Sequence, residues 1–220
     1  MCAIAVFGGP GSGAIVAQTL AALAPIRTDL RLIGFLNDVL PRGEHVSGTP
    51  VFGPFSSWRD LPEDVSFVAP LHKAGAMQQR VAIVQGLGIP EHRWATIIDP
   101  RSAVAADAVI GPGSFVGPFA TVGPATRIGS HVVVRGGACV SHDCNVADFV
   151  FVGTNAVVCG YSSVGDGGYI APSATIRDGC SIGRFATVGL GSVVVKNVPD
   201  FITVAGSPAR RIVVQRQDVG

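Results

Sequence analysis

An aliphatic residue recurs at every sixth position from Ile98 to Val194 without interruption. A strand buried on one face alternates with a period of two, and an amphipathic helix repeats every 3.6 residues, so neither fits this period. A coil built from three short faces does fit, because three hexapeptides make one turn of eighteen residues. The pattern therefore predicts an all-β parallel β-helix shaped as a triangular prism, with neighbouring coils about 4.8 Å apart.

The other positions of the hexapeptide are consistent with such a coil. A small residue mostly stands two positions before the aliphatic one, as at Ala120, Ala138 and Ser192, and glycine often follows it directly, as at Gly117 and Gly153. We expect the small residue to give room beside the aliphatic side chain and the glycine to help the chain turn. A β-sandwich rich in valine would alternate at two and would not keep one phase for so long.

The segment before the repeat alternates strands and helices, which is typical of a small Rossmann-like parallel sheet. The alternating segments are AIAVF, AIVAQTLAAL, LRLIGFLND, SFVAPL and AGAMQQRVAIVQGLG. We therefore expect an α/β domain over residues 1–95, the β-helix over residues 96–197 and a C-terminal tail over residues 198–220.

A glycine-rich loop, GGPGSG, joins the first predicted strand to the first helix. Free amides and the helix dipole at such a loop can receive an anion or a polar ligand, which makes Gly11 and Ser12 candidates. Asn37 and Asp38 end the second strand. The loop approximates the dinucleotide fingerprint, but about 95 residues provide only half of a dinucleotide fold, so NAD is disfavoured. A tight turn without a ligand is the other alternative.

Composition excludes several partners. Charged residues make up 14% of the chain and the net charge is +1, which favours neither nucleic acid nor an anionic membrane. The apolar N-terminus lacks a basic region, is interrupted by glycines and Pro10, and is shorter than the roughly 20 residues that span a bilayer. The five cysteines show no CxxC spacing. We expect a cytoplasmic protein with free thiols.

The candidate catalytic residues lie where the repeat departs from its pattern. The position after the aliphatic residue is occupied by Arg135, Ser141 and Ala147 instead of glycine, and His142 and Asp143 stand inside this stretch. Asp143 could bind Nδ1 of the imidazole and leave Nε2 free as a general base. An exposed histidine with a surface hydrogen bond is the simpler alternative.

Gly160 is eighteen residues after His142 and should therefore lie beside it in the next coil. A backbone amide without a side chain next to a base is what the oxyanion formed from a thioester requires. Alternatively, Gly160 only relieves a turn.

An acyl-cysteine mechanism and a metal site are both disfavoured. Cys144 is near His142 but occupies the small inward position of its hexapeptide, where a packing role is expected. His45, His92 and His131 have no partners that define a metal site.

Four segments together resemble a known family. They are the loop GGPGSG, the repeat itself, the stretch VSHDCNVADFVFVGTNAVVCG and the ending VVVKNVPDFITVAGSPARR. They resemble the hexapeptide-repeat acetyltransferases related to sialic acid O-acetyltransferases and to the nucleotide-aminosugar N-acetyltransferases of bacterial glycan synthesis. Within this family the chain resembles the perosamine N-acetyltransferases, which act on a GDP-linked 4-amino-4,6-dideoxy sugar. The resemblance implies a left-handed coil, a homotrimer, and acetyl-CoA bound between neighbouring prisms without a metal.

The resemblance also implies residue roles. His142 would be the base, Asp143 its orienting partner, and the Gly160 amide the contact to the thioester carbonyl. The residues implied at the acetyl-CoA site are Phe151, Gly160, Leu190, Lys196 and Arg210. The residues implied around the nucleotide-sugar are Gly11, Ser12, Asn37, Asp38, His72 and Lys73.

Two features qualify these roles. Several relatives carry a second histidine nine residues after the base, where this chain has Phe151, which could pack against the pantetheine arm but cannot form the same hydrogen bond. Lys196 and Arg210, with Arg211, lie near the predicted open end of the prism, where they could hold a phosphate-bearing cofactor or form a solvated basic tail.

Three functions follow from the sequence. The first is N-acetylation of the 4-amino group of a nucleotide-linked sugar by acetyl-CoA, as in O-antigen synthesis. O-acetylation of a free sugar such as sialic acid is the enzymatic alternative, and a non-catalytic β-helix scaffold is the alternative of another class. A scaffold has no reason to break its glycine pattern around a His-Asp pair, so an enzyme is favoured.

Overall fold

The computed structural model describes residues 2–28 and 30–213. The N-terminal domain contains five strands, two α-helices and two 3-10 helices, Phe55–Asp60 and Glu91–Arg93. In chain order the other elements are β1 (Cys2–Phe7), α1 (Ser12–Leu23), β2 (Leu30–Leu36), β3 (His45–Val46), β4 (Thr49–Gly53), β5 (Val65–Val68) and α2 (Met77–Gly86). No helix in these described ranges is long and apolar enough to cross a membrane.

The N-terminal sheet has the order β3-β4-β2-β1-β5. All pairs are parallel except the hairpin of β3 and β4. The last four residues of β1, from Ile4 to Phe7, are fully buried, as expected for a central parallel strand covered on both faces. The chain moves to one side of β1 for β2 and to the other for β5, and this reversal opens a crevice at the carboxyl ends of the strands. The predicted Rossmann-like α/β sheet is confirmed.

The rest of the described chain forms the predicted β-helix, whose strands are mostly two residues long. They are β6 (Ile97–Ile98), β7 (Ala103–Val104), β8 (Val109–Ile110), β9 (Phe115–Val116), β10 (Thr121–Val122), β11 (Arg127–Ile128), β12 (Val133–Val134), β13 (Cys139–Val140), β14 (Asn145–Val146), β15 (Phe151–Val152), β16 (Val157–Val158), β17 (Ser163–Val164), β18 (Tyr169–Ile170), β19 (Thr175–Ile176), β20 (Ser181–Ile182), β21 (Thr187–Val188), β22 (Val193–Val194), β23 (Thr203–Ala205) and β24 (Arg210–Arg211).

Every third strand belongs to the same face of the prism. Face 1 runs from β6 to β21 and then takes β23 and β24, face 2 runs from β7 to β22, and face 3 runs from β8 to β20. Paired residues are eighteen apart in sequence, as Thr121 and Cys139 illustrate. The fold is a left-handed parallel β-helix.

The repeated aliphatic residues form the core of the prism. From Val116 to Val194 each is at most 3% exposed, whereas Ile98, in the first coil, is 36% exposed because no coil covers it from outside. The small residues two positions earlier are also buried, among them Ala120 and Ser192. The interior is therefore filled by alternating large and small side chains from every coil.

The role expected for the glycines is wrong in its detail. The left-handed backbone conformation occurs three residues after the aliphatic residue, for example at Phe119, Asp143 and Tyr161, and not at the glycine that follows it directly. A Cβ on Gly123 would lie 2.7 Å from the carbonyl carbon of Ser141 in the next coil. That glycine is needed because stacked coils approach closely, whereas the turn is made elsewhere.

The N-terminal domain packs against face 1. Phe115, Val133 and Phe151 point outward from this face and join the same apolar cluster as β1 and α1. Thr19 in α1 donates a hydrogen bond to the buried carboxylate of Asp99, 3.0 Å away. The contact also reaches the edge between faces 3 and 1, so the prism and the sheet form one continuous apolar junction.

The C-terminal segment differs from the predicted tail. Val198 bridges to Ile182, sixteen residues earlier, so the last coil is two residues shorter than the others and the sequence period is lost. β23 then pairs with β21, and β24 folds back on β23. Residues 198–213 thus belong to the prism, and residues 214–220 of the predicted tail lie outside the described ranges.

Candidate active site

His142 and Asp143 occupy the turn between β13 on face 2 and β14 on face 3, which we call the 2/3 edge. The imidazole Nδ1 lies 2.9 Å from Oδ2 of Asp143, and both side chains are nearly half exposed. Asp143 has a φ of 53°, so the chain turns sharply and the two neighbouring side chains can meet. Since Asp143 engages Nδ1, Nε2 is the nitrogen left to accept a proton.

Gly160 lies directly against this imidazole from the next coil. A Cβ at residue 160 would be 2.6 Å from Cε1 and 2.7 Å from Nε2 of His142. Within the described ranges its amide donates no backbone hydrogen bond, whereas the next amide, of Tyr161, donates to the carbonyl of His142 at 3.2 Å. Gly160 is itself buried, and the absence of a side chain lets the imidazole lie against this backbone, beside an amide that can serve as a donor.

The 2/3 edge continues as a column of residues eighteen apart. The column contains His142, Gly160, Asp178 and Lys196, because β13, β16, β19 and β22 pair in register. Three coils separate the first and last members, about 14 Å along the prism. The column connects the His-Asp pair to a lysine at the end of the prism, with Gly160 buried and the carboxylate of Asp178 exposed between them.

A cleft of about 510 Å³ opens at that end. It is lined by three cationic residues, Lys196, Arg210 and Arg211, by Asn197 and Asp200, and by apolar side chains of the last coil. All three cationic residues are exposed, and the guanidinium of Arg210 donates to the carbonyl of Ala209 at 3.0 Å. The arrangement is suited to a phosphate-bearing ligand.

The other two residues expected at the acetyl-CoA site lie elsewhere. Leu190 is 74% exposed in the turn between faces 1 and 2. Phe151 is 8% exposed on face 1, where its ring stacks on Tyr169 with centroids 4.5 Å apart and lies 5.7 Å from the ring of His72. Within one chain neither shares the 2/3 edge with His142.

The residues expected around a nucleotide-sugar converge on the crevice at the carboxyl ends of the strands. Gly11 has a φ of 88° and caps α1, and a Cβ there would meet no atom within 4 Å. Ser12 begins the helix, so amides of the first turn face the crevice. Asn37 follows β2 and lies against Gly9, where a Cβ would be 2.7 Å from its amide nitrogen.

Asn37 and Asp38 both shape the loop after β2. The side-chain oxygen of Asn37 accepts the N–H groups of Val39 and Leu40 at 2.8 Å, and one oxygen of Asp38 accepts that of Phe55 at 2.7 Å. Their remaining polar atoms, the amide of Asn37 and the second oxygen of Asp38, are those available to a ligand.

His72 and Lys73 follow β5 and have different environments. Lys73 is exposed, whereas both ring nitrogens of His72 are buried and without a partner among the described residues. Burial lowers the pKa of His72 to about 4. The charges of His131 and Arg135, which belong to the prism, act in the same direction. The imidazole of His72 is therefore neutral and directed at the junction between the domains.

Three functional candidates had no sequence signal of their own. Tyr161 contacts His142, with ring centroids 5.1 Å apart. His131 stacks on Phe149 and meets Trp94 edge to face. Burial lowers the pKa of His131 to about 4. Arg135 has one buried guanidinium nitrogen without a partner in the described ranges. Arg135 follows Val134, at a position where the repeat often has glycine, and this departure is its one signal in the sequence.

Cys144 points into the prism, as expected for its position. It is 2% exposed, and its thiol lies 3.2 Å from the carbonyl oxygen of Cys159. Burial raises the pKa of the thiol, which disfavours the thiolate needed for an acyl-cysteine step. Among residues 2–28 and 30–213, no three His, Cys, Asp or Glu side chains are grouped to hold a metal ion.

The two halves of the candidate site are far apart in a single chain. The crevice belongs to the domain on face 1, whereas the 2/3 edge is the one edge of the prism that face 1 does not border. Each face of the prism is six residues wide, so the 2/3 edge lies on the opposite side of the prism, about 15 Å from face 1. One chain alone therefore cannot bring a ligand in the crevice to His142.

The comparisons with known proteins agree with this architecture. Residues 107–142 match the family model for the bacterial transferase hexapeptide (six repeats). No curated protein sequence matches the chain.

Solved structures match over nearly the whole chain. The acetyltransferase domain of PglB from Neisseria gonorrhoeae FA1090, in complex with acetyl coenzyme A, is 31% identical, with a TM-score of 0.83 over 96% of this chain and 99% of that one. WeeI from Acinetobacter baumannii AYE is 26% identical, with a TM-score of 0.81 over 95% and 99% of the two chains. The protein belongs to the hexapeptide-repeat, left-handed β-helix sugar acetyltransferases.

A more distant structure has the same fold. A mutant of GDP-perosamine N-acetyltransferase from Caulobacter crescentus, in complex with CoA and GDP-perosamine, is 22% identical, with a TM-score of 0.82 over 96% of this chain and 97% of that one. At this identity the likeness concerns the fold.

Proposed function

We propose that the protein transfers an acetyl group from acetyl-CoA to the 4-amino group of a nucleotide-linked 4-amino-4,6-dideoxy sugar of the GDP-perosamine type, in bacterial glycan synthesis. The observation that carries the proposal is the contact of His142 with both Asp143 and Gly160 on the 2/3 edge. The proposed reaction needs no metal and takes place in the cytoplasm.

The chemistry assigned to the residues is a direct transfer. Acetyl-CoA supplies an activated thioester. The sugar amine attacks its carbonyl carbon, Nε2 of His142 accepts the amine proton, and the Gly160 amide donates to the carbonyl oxygen as negative charge develops there. The C–N bond forms, the C–S bond breaks, and the imidazolium returns its proton to the departing thiolate. Asp143 keeps the imidazole in the tautomer that makes Nε2 the acceptor.

The column along the 2/3 edge fits the shape of the proposed co-substrate. Its thioester would lie at His142 and Gly160, and its phosphates would reach Lys196 and Arg210 about 14 Å further along the prism. Exposed cations at the far end of this column suit the phosphates of a long thioester.

A homotrimer resolves the separation between crevice and base. If prisms pack side by side, the 2/3 edge of one protomer meets the N-terminal domain and face 1 of its neighbour. Leu190 and Phe151 would then belong to the neighbour's wall of an acetyl-CoA cleft, as a closed symmetric assembly allows. Phe151 is 8% exposed in a single chain, so only the small part of its surface that is not buried would line that cleft.

The crevice of the N-terminal domain is the proposed nucleotide-sugar site. Free amides at Gly11 and Ser12 suit a diphosphate, and the unengaged oxygen of Asp38 suits the N–H groups of a base or a ribose hydroxyl. Lys73 is exposed beside it and adds a positive charge. His72 would contact the sugar only if its ring left the domain junction.

The experiment that tests this function is release of free CoA thiol from acetyl-CoA with a panel of acceptors. The panel contains GDP-, UDP- and dTDP-linked 4-aminosugars and free sialic acid. Release with one nucleotide aminosugar would support N-acetylation and identify the base. Release with sialic acid alone would replace the proposal by O-acetylation, and no release with any acceptor would favour a scaffold.

A further inference from the structure

Tyr161 contacts the imidazole of His142 at the 2/3 edge. The two ring centroids are 5.1 Å apart and the ring planes are at 87°, an edge-to-face arrangement. Tyr161 stands one coil beyond Asp143, and its backbone N–H donates to the carbonyl of His142 at 3.2 Å. Two successive coils therefore fix where this ring can lie.

The prism itself does not need an aromatic residue at this place. Tyr161 has a φ of 57° and is 67% exposed, so it combines an unfavourable backbone conformation with little burial. Other aromatic residues in the same conformation have different partners: Phe149 packs against the N-terminal domain, and Phe185 and Phe201 stack on each other. Phe119 lies under a guanidinium on another part of the prism.

The contact completes the surroundings of the His142 ring. Asp143 holds Nδ1 and the backbone of Gly160 lies against Cε1 and Nε2. The ring of Tyr161 provides a third contact to the imidazole. Edge-to-face pairs are favourable beyond their buried area, so the ring of Tyr161 limits the orientations that the imidazole takes.

We propose that Tyr161 is a positioning residue for the acetyl transfer, whose ring fixes the orientation of the His142 imidazole. This inference rests on the proposed function, because it takes His142 as the base. It concerns the ring and not the phenolic hydroxyl.

The test compares Tyr161→Ala, Tyr161→Phe and the matched control Phe119→Ala, which removes an equally exposed aromatic ring with the same backbone conformation. Acetyl transfer is measured with acetyl-CoA and GDP-perosamine, or with the acceptor of the panel that releases thiol fastest. For Tyr161→Ala we expect kcat to fall about threefold to tenfold. KM for acetyl-CoA should stay unchanged, and Tyr161→Phe should restore the rate.

Equal kcat values in Tyr161→Ala and Phe119→Ala would overturn the inference, as would a Tyr161→Ala enzyme whose loss lies in KM for acetyl-CoA and not in kcat. A loss shared equally by Tyr161→Phe would also overturn it, because the hydroxyl would then be responsible. Failure of the proposed function can be distinguished from failure of this inference. Unchanged turnover in His142→Asn would contradict the proposed function. An inactive His142→Asn enzyme together with a fully active Tyr161→Ala enzyme would remove only the role of Tyr161.

Discussion

Nδ1 of His142 and Oδ2 of Asp143 lie 2.9 Å apart although the residues are adjacent in sequence. Adjacent side chains of an extended strand point to opposite sides, so this contact depends on the left-handed turn at Asp143. Aspartate tolerates that conformation better than most residues do. The same turn that closes the coil therefore brings the carboxylate to the imidazole.

Asp143→Asn tests whether the carboxylate orients the base. Asparagine also tolerates a left-handed turn, so the fold should be kept while the charge is lost. We expect kcat to fall about tenfold or more with little change in KM, measured by thiol release. Asp64→Asn, in an exposed turn before β5, is the control. Full activity of Asp143→Asn would mean that His142 needs no carboxylate partner.

Gly160→Ala tests the close approach of the second coil to the base. The added methyl group would lie within 2.7 Å of Cε1 and Nε2 of His142, so the imidazole has to move. We expect a loss of about 100-fold in kcat, because both the base and the amide donor are displaced. Gly86→Ala, where no atom lies within 4 Å of the added Cβ, is the control and should keep its activity. A Gly160→Ala enzyme as fast as that control would contradict the site geometry.

Cys144→Ala separates direct transfer from an acyl-cysteine mechanism. The thiol is buried among small inward residues, and burial raises its pKa. We expect kcat to stay within about twofold and the free energy of unfolding to drop by about 1 kcal/mol or less. Steady-state thiol release and urea unfolding measure the two quantities. A folded Cys144→Ala protein without activity would bring the cysteine back into the mechanism.

Stability should fall in mildly acidic solution because of His72 and His131. Burial lowers the pKa of each to about 4, below the 6.5 of an unfolded chain. Between these values the unfolded chain binds protons that the folded protein does not, so the free energy of unfolding decreases as pH falls. The slope is up to about 1.4 kcal/mol per pH unit for each histidine. Arg135 and Asp148 are the charged groups that face the pair.

Urea unfolding between pH 4 and pH 8 measures that slope. His131→Asn, which tolerates the left-handed backbone at this position, should make the curve flatter, whereas His92→Gln in an exposed 3-10 helix should not. An unchanged slope in His131→Asn would show that another group causes the acid sensitivity.

Much of the fold could be predicted because its information is local and periodic. The hexapeptide period determines the eighteen-residue register, and that register alone puts Gly160 beside His142. The last coil could not be predicted, since its length of sixteen residues breaks the period between Ile182 and Val198. The β3–β4 hairpin could not be predicted either, because β3 has two residues and shows no alternation.

The less predictable part of the site depends on side-chain direction and on packing between domains. Sequence spacing brings Tyr161 to the 2/3 edge, but its contact with His142 depends on the side-chain conformation. His72 lies in the loop after β5, yet its ring faces the junction because the prism packs there. Such contacts follow from tertiary structure, which no local pattern encodes.

His142→Asn tests most directly whether His142 is the general base. Asparagine keeps a polar side chain of similar size but cannot accept the amine proton. With acetyl-CoA and the active acceptor of the panel, we expect His142→Asn to have KM values close to those of the parent and a kcat lower by about 100-fold or more. A kcat within a few-fold of the parent would contradict the account and remove His142 from the reaction.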